Sequence, residues 1–203
     1  MSDDAPVPDQ APTAKGEATR RRILSAAAAE FAAHGIAGAR VDRIASEART
    51  NKAQLYAYFG SKDALFDAAF ADAMQSIIEV VPISADDLAD WAVRLYDEYV
   101  VRPELIRIAT WARLERRPSG HLAEERRDAQ KLDAIASAQG SGAIGGPARV
   151  ADPFDVMALV IAMSMAWSPV SNVYAASADE PEAVHAQRRD LLRRVVRRTF
   201  GPD

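Results

Sequence analysis

Residues 41–65 read VDRIASEARTNKAQLYAYFGSKDAL, and the breaks in this stretch decide the fold. Val41, Ile44, Ala45 and Ala48 recur at three-to-four spacing, the apolar side of a short helix. Arg49-Thr50-Asn51 interrupts the pattern, and a second short helix, KAQLYAYF, follows from Lys52 to Phe59. Asn51 suits its N-cap, because the side-chain oxygen can accept from a free first-turn amide. Leu55 and Phe59, at i and i+4, supply the apolar anchors. Gly60 ends this helix and Ser61 caps the next. That one has Asp63 in its first turn, Leu65, Phe66, Ala69 and Phe70 on its apolar side, and a predicted end near Glu79. Upstream, Ile23, Leu24, Ala27, Ala28, Phe31 and Ala32 mark a longer helix that starts at Gly16 and stops at Gly35.

The rest of the chain keeps the helical period. Asp86 or Asp87 opens a helix with Leu88, Trp91, Leu95 and Tyr99, and Arg102-Pro103 breaks it. Pro103 suits the first turn of the next, which carries Ile106, Ala109, Trp111 and Leu114. Another helix is predicted from His121 to Gln139, followed by the glycine-rich connector GSGAIGGPARVADP. Asp152-Pro153 opens a long apolar helix predicted to reach Ala176, and Asp179-Glu180-Pro181 opens the last, which ends at Phe200-Gly201-Pro202. No run alternates with period two. The class is all-α, with about nine helices: a three-helix module over residues 16–62, a larger body over 63–203, and a proline-rich, disordered tail over 1–15.

Composition narrows the function. At 203 residues and 49% hydrophobic, the chain can bury a sizeable core. It has no cysteine, which excludes disulfide scaffolds, thiolate metal sites and cysteine nucleophiles. No stretch reaches the ~20 apolar residues of a membrane span, and the acidic N-terminus lacks a signal-peptide pattern, so a cytoplasmic protein is expected. The net charge of −4 is unevenly spread. Residues 15–62 hold nine Lys or Arg against four Asp or Glu, while the rest is acidic, as expected for a basic module that meets a polyanion.

The two short helices and their three-residue turn form a helix-turn-helix pattern, whose chemistry suits duplex DNA. The second helix presents an N-terminus with free amides toward phosphate, capped by Asn51 and followed by Lys52. Its outer faces carry Gln54, Tyr56, Ala57 and Tyr58, a mix able to touch base edges, thymine methyls and phosphates. Ser61-Lys62 repeats the arrangement of amide and lysine at the next helix start. Lys52 and Lys62 are thus predicted to position the module on phosphates, and Gln54 to read a base.

Thr19 to Phe70, about a quarter of the chain, resembles the TetR/AcrR transcriptional regulators, and Lys52–Leu65 (KAQLYAYFGSKDAL) is the most specific portion. The resemblance implies a homodimeric regulator bound to an operator and released by a small molecule held in the body. It implies DNA contacts at Asn51, Lys52, Gln54, Tyr56, Tyr58 and Lys62, with Arg40 in the place of a phosphate-contacting threonine. Arg49 and Thr50 stand where the family has glycine and a small apolar residue, which puts the left-handed turn in question. Nothing here sets the sign of regulation, and an activator on the same fold remains an alternative, as does a helical adaptor without DNA.

In the body, Trp91, Tyr96, Trp111, Met157, Met163, Met165 and Trp167 are core or the lining of an apolar cavity. Trp91, Trp111, Met163 and Trp167 are the candidate ligand residues. Arg107 and Arg113 are surface, salt-bridged or orienting charges. A dimer is expected from the last two helices, with Met157, Ile161, Leu192 and Val196 as candidate interface residues. His121 and Glu124 or Glu125 have metal-pair spacing, but no third ligand is nominated, so no metal or cofactor is expected. No catalytic constellation is visible, and the reading is not an enzyme.

Overall fold

Side-chain caps set where the helices begin. The computed structural model describes residues 14–117, 119–120 and 125–202. Among them lie nine α-helices and no strand: α1 (Ala14–Gly38), α2 (Val41–Glu47), α3 (Lys52–Phe59), α4 (Lys62–Val80), α5 (Leu88–Val101), α6 (Pro103–Glu115), α7 (Glu125–Ser141), α8 (Pro153–Ser164) and α9 (Glu182–Phe200). Asn51 accepts from the Gln54 amide at 2.8 Å, Ser61 from Ala64 at 3.0 Å, Asp87 from Asp90 at 3.0 Å and Asp152 from Phe154 at 2.8 Å. Each cap satisfies an amide that the first turn leaves without an intrahelical partner. Of the tail expected to be disordered over 1–15, residues 1–13 lie outside the described residues and Ala14 and Lys15 already belong to α1, while residues 121–124, at the expected start of α7, lie outside the described residues too.

The all-α expectation agrees with this architecture, with one correction. The helix opened by Pro153 ends at Ser164, not near Ala176. Proline at 169 has no amide to donate and disfavours the helical region at Ser168. The Ser164 hydroxyl turns back onto the Val160 carbonyl at 2.8 Å, and the Met165 amide is shared between Ile161 and Ala162, which tightens the last turn. The connector before α8 also holds a short 3-10 turn, Gly146–Val150.

Two apolar clusters organise the described residues. The head cluster joins Ile23, Leu24, Ala27 and Phe31 of α1 to Ile44, Leu55, Leu65 and Phe66 of α2, α3 and α4. It also takes Leu105, Ile108 and Ala112 from α6. The body cluster packs α5, through Trp91, Leu95 and Tyr96, against Val156, Met157 and Val160 of α8 and Leu192, Val196 and Phe200 of α9. The expected division at residue 62 falls at the first residue of α4, whose Leu65, Phe66, Ala69 and Ala73 belong to the head's core. Helices α4 and α6 therefore serve both parts.

Candidate nucleic-acid interface

Helix α3 is held by one fully buried side chain. Leu55 is 0% exposed and Phe59 half-buried, whereas Lys52, Ala53, Gln54, Tyr56, Ala57 and Tyr58 face solvent. Burying one leucine contributes about 1.5–3 kcal/mol, so Leu55 seats the helix while leaving its remaining faces free. Arg20 of α1 lies 5.6 Å over the Phe59 ring and props the same end. Arg22 donates to the Ala48 carbonyl at 3.3 Å and closes the end of α2.

The turn between α2 and α3 keeps its left-handed residue without glycine. Arg49 has φ of 52°, and its amide reaches Ser46 at 3.1 Å while that of Thr50 reaches Ala45 at 2.9 Å. These two bonds form a Schellman motif, with Arg49 at the position usually taken by glycine. The Cβ there costs about 1–2 kcal/mol, which the paired carbonyls and the packing around the turn offset.

Each predicted contact residue has a defined place. The Thr50 hydroxyl donates to Gln54 Oε1 at 2.5 Å and orients that amide, whose oxygen keeps a second lone pair for a base. Tyr56 and Tyr58 are 40% and 37% exposed. Arg40 flanks α2 as its N-cap, with an exposed side chain, and its backbone amide donates to Glu30 at 2.8 Å. Burial pushes the Glu30 carboxyl up, but the Arg43 hydrogen bond and the Arg40 amide outweigh it and hold the group below its ordinary value. Lys62 at the start of α4 donates to the Ala37 carbonyl at 3.1 Å. Lys52 Nζ lies 2.7 Å from Asp42 of α2, an ion pair that the linear pattern does not signal. Both residues occupy first turns of adjacent helices, so only the interhelical angle brings them together.

A second feature missed by the sequence reading is the joint between head and body. Helix α1 kinks at Gly35, with φ of 70°, as the expected stop at this residue requires. The Glu115 carboxylate at the end of α6 accepts from the amides of Ile36 at 3.1 Å and Ala37 at 3.2 Å. Arg107 and Trp111 donate to the Ala32 carbonyl at 2.9 and 3.3 Å, and Arg116 pairs with Asp63 of α4 at 2.7 Å.

This joint relocates one candidate ligand residue. Trp111 packs against α1, whereas Trp91, Met163 and Trp167 lie in the body cluster. Leu105, Ile108 and Ala112 of α6 belong to the head cluster while Ile106 reaches the body, and Trp111 lies on the head side against Gly35 and the Ala32 carbonyl, apart from Trp91 and Trp167. Trp91 is buried, with an indole nitrogen that has no hydrogen-bond partner among the described residues, and Trp167 meets the Tyr96 ring edge-on at 5.8 Å. None of the four lines the cavity of about 140 Å³ between the start of α5 and the end of α9, where Leu88, Ile144, Val196 and Phe200 form the walls.

The candidate dimer residues need a similar correction. Met157, Leu192 and Val196 are buried in the protomer's own core, and Ile161 is half-buried against it. The outward apolar side chains of α8 and α9 are instead Leu159, Leu191 and Val195, each more than two-fifths exposed. Adjacent apolar positions on a helix point about 100° apart, so Leu191 and Leu192 serve different surfaces.

No helix among the described residues is long and apolar enough to cross a membrane. No group of three or more carboxylate or imidazole side chains among the described residues could hold a metal ion, and His121 and Glu124 lie outside them.

A solvent-facing helix seated by one leucine, behind a Schellman turn and joined to an all-helical body, defines a helix-turn-helix regulator. Residues 23–69 match the bacterial regulatory proteins of the TetR family, and residues 87–198 match the tetracycline-repressor-like C-terminal domain. The chain belongs to the TetR family of transcriptional regulators. It is 41% identical over 157 residues to the HTH-type transcriptional repressor SCO4008 of Streptomyces coelicolor, covering 76% of this chain and 80% of that protein. It is 34% identical over 101 residues to the HTH-type transcriptional repressor NicS of Pseudomonas putida, covering 46% and 48%. The crystal structure of SCO4942 from Streptomyces coelicolor, described as a transcriptional regulator, superposes with a TM-score of 0.72 at 38% identity, covering 91% of this chain and 99% of that one.

Proposed function

We propose that the protein is a homodimeric repressor, working in the cytoplasm, that binds a partly palindromic operator and leaves it when a small apolar molecule occupies the body. The observation that carries this reading is α3: Leu55 is its only buried residue, and Gln54, Tyr56 and Tyr58 stand exposed on its outer faces. Two such helices related by a two-fold axis enter successive major grooves about 34 Å apart. Repression is supported by the names of the relatives SCO4008 and NicS. Dimerisation is supported by the exposed Leu159, Leu191 and Val195 on the neighbouring helices α8 and α9. The division of labour places DNA contacts before residue 63 and the effector and the partner subunit after it.

The effector acts only through the difference in its affinity for the DNA-bound and released forms. Trp91, Met163 and Trp167 are the side chains proposed to meet it, and the joint made by Glu115 and Arg116 is its route to the head. The experiment is selection of genomic fragments by the purified protein, followed by titration of apolar compounds onto the complex. Recovery of one recurring palindrome that a compound releases agrees with the proposal. Recovery of fragments with no common sequence contradicts it.

A further inference from the structure

Lys52 and Lys62 stand at the starts of α3 and α4, yet their charges are answered differently. The Lys52 ammonium lies 2.7 Å from the Asp42 carboxylate, and both side chains are exposed. The Lys62 ammonium rests on the neutral carbonyl of Ala37, and its neighbour Asp63 is taken by Arg116. Helix α3 itself carries no acidic residue, so the carboxylate facing its first turn comes from α2. An exposed ion pair of this kind contributes about 0–1 kcal/mol to folding and an acid in the first turn of α2 about 0.3–1 kcal/mol, so stability alone gives Asp42 only a modest reason to face Lys52.

We propose that Asp42 is an affinity-setting residue of the DNA-binding surface: it makes the Lys52 phosphate contact an exchange of one anion for another. This rests on the reading of α3 as the recognition helix. A lysine that neutralises a phosphate releases the condensed counterion, and that release gives the linear dependence of log affinity on log salt. When Lys52 leaves Asp42 for a phosphate, the freed carboxylate stays beside the DNA, and the Lys52–Asp42 pair together brings it no net charge. The condensed cation that a lone lysine would displace is therefore largely retained, and the net salt dependence of this contact is close to zero. Lys62 leaves only a carbonyl behind and keeps its full share. The head thereby binds DNA less tightly, and less sensitively to ionic strength, than its count of cations suggests.

The test is fluorescence anisotropy across a salt series, with a short random-sequence duplex and the selected genomic fragment. Asp42→Asn is expected to tighten both complexes about 3- to 10-fold and to steepen the salt slope by about 0.9 per engaged head. The same substitution made in a Lys52→Met background is expected to lose both effects. Three results overturn the proposal: an unchanged slope in Asp42→Asn, a gain that persists without Lys52, or selective loss of the genomic fragment, which makes Asp42 a base reader. Asp42→Ala repeats the test without an amide. A wild-type protein with no salt-dependent binding to either duplex overturns the recognition-helix reading itself.

Discussion

A Cβ on Gly35 would stand 2.8 Å from Oε1 of Glu115, so the kink in α1 and the carboxylate that closes α6 are fitted to one another. Glycine is required there twice, by a φ of 70° and by the missing side chain. Gly35→Ala is expected to cost about 2–4 kcal/mol in urea unfolding, through backbone strain and overpacking against Glu115 and Trp111. Glu115→Gln keeps the volume but turns an amide group toward two backbone donors, and should cost about 1 kcal/mol. If both variants unfold at the wild-type midpoint, the joint does not hold head and body together.

Arg49 offers a test of opposite sign. A non-glycine residue at φ 52° carries a cost that glycine avoids, partly offset by the greater freedom glycine has when unfolded. Arg49→Gly is expected to stabilise the protein by about 0.5–1 kcal/mol. Equilibrium denaturation reads this directly, and a clear loss of stability would show that the arginine side chain holds the turn.

The two faces of α9 should respond differently to a buried charge. Leu191→Glu or Val195→Glu, on the exposed face, is expected to give folded monomers of about 22 kDa by light scattering, in place of a dimer of twice that mass. Leu192→Glu or Val196→Glu, in the protomer core, is expected to unfold the body at a cost above about 3 kcal/mol. A dimer that survives Leu191→Glu and Val195→Glu together would place the interface elsewhere.

Glu30 predicts the acid behaviour of the head. Its carboxyl sits below the ordinary value when folded, so its contribution is present at neutral pH and is lost as pH falls through the folded-state value. Glu30→Gln should therefore narrow the stability gap between neutral and acid conditions, read as the midpoint of thermal unfolding at each pH. An unchanged gap would mean that the Glu30–Arg43 pair adds nothing to the fold.

Local chemistry was the part legible in the sequence. Asn51, Ser61, Asp87 and Asp152 each cap the helix that their position announces, because a cap is a contact within three residues. The helix-turn-helix and the exposed face of α3 followed from the same short-range pattern. What failed depends on tertiary packing. The apolar stripe of α6 says that Trp111 needs cover, not that α1 provides it. The paired leucines 191 and 192 both look like a buried face until α5 is in place. The Asp42–Lys52 pair spans a turn whose angle no spacing rule supplies. Ser168-Pro169 bars α8 from reaching Ala176, but the apolar run to Trp167 conceals the earlier stop at Ser164.

The most direct measurement of the central claim is salt-dependent anisotropy of the wild type, Lys62→Ala and Gln54→Ala on the selected genomic fragment and on random duplex. With Lys62 proposed as a phosphate contact, Lys62→Ala should weaken both complexes about equally and lower the salt slope by about 0.9 per head. Gln54, held by Thr50 on the exposed face of α3, is the proposed base reader. Gln54→Ala should cost about 1–3 kcal/mol per half-site on the genomic fragment and leave random-duplex binding nearly intact. If Gln54→Ala weakens both duplexes in parallel, or neither, α3 is not the element that reads the operator.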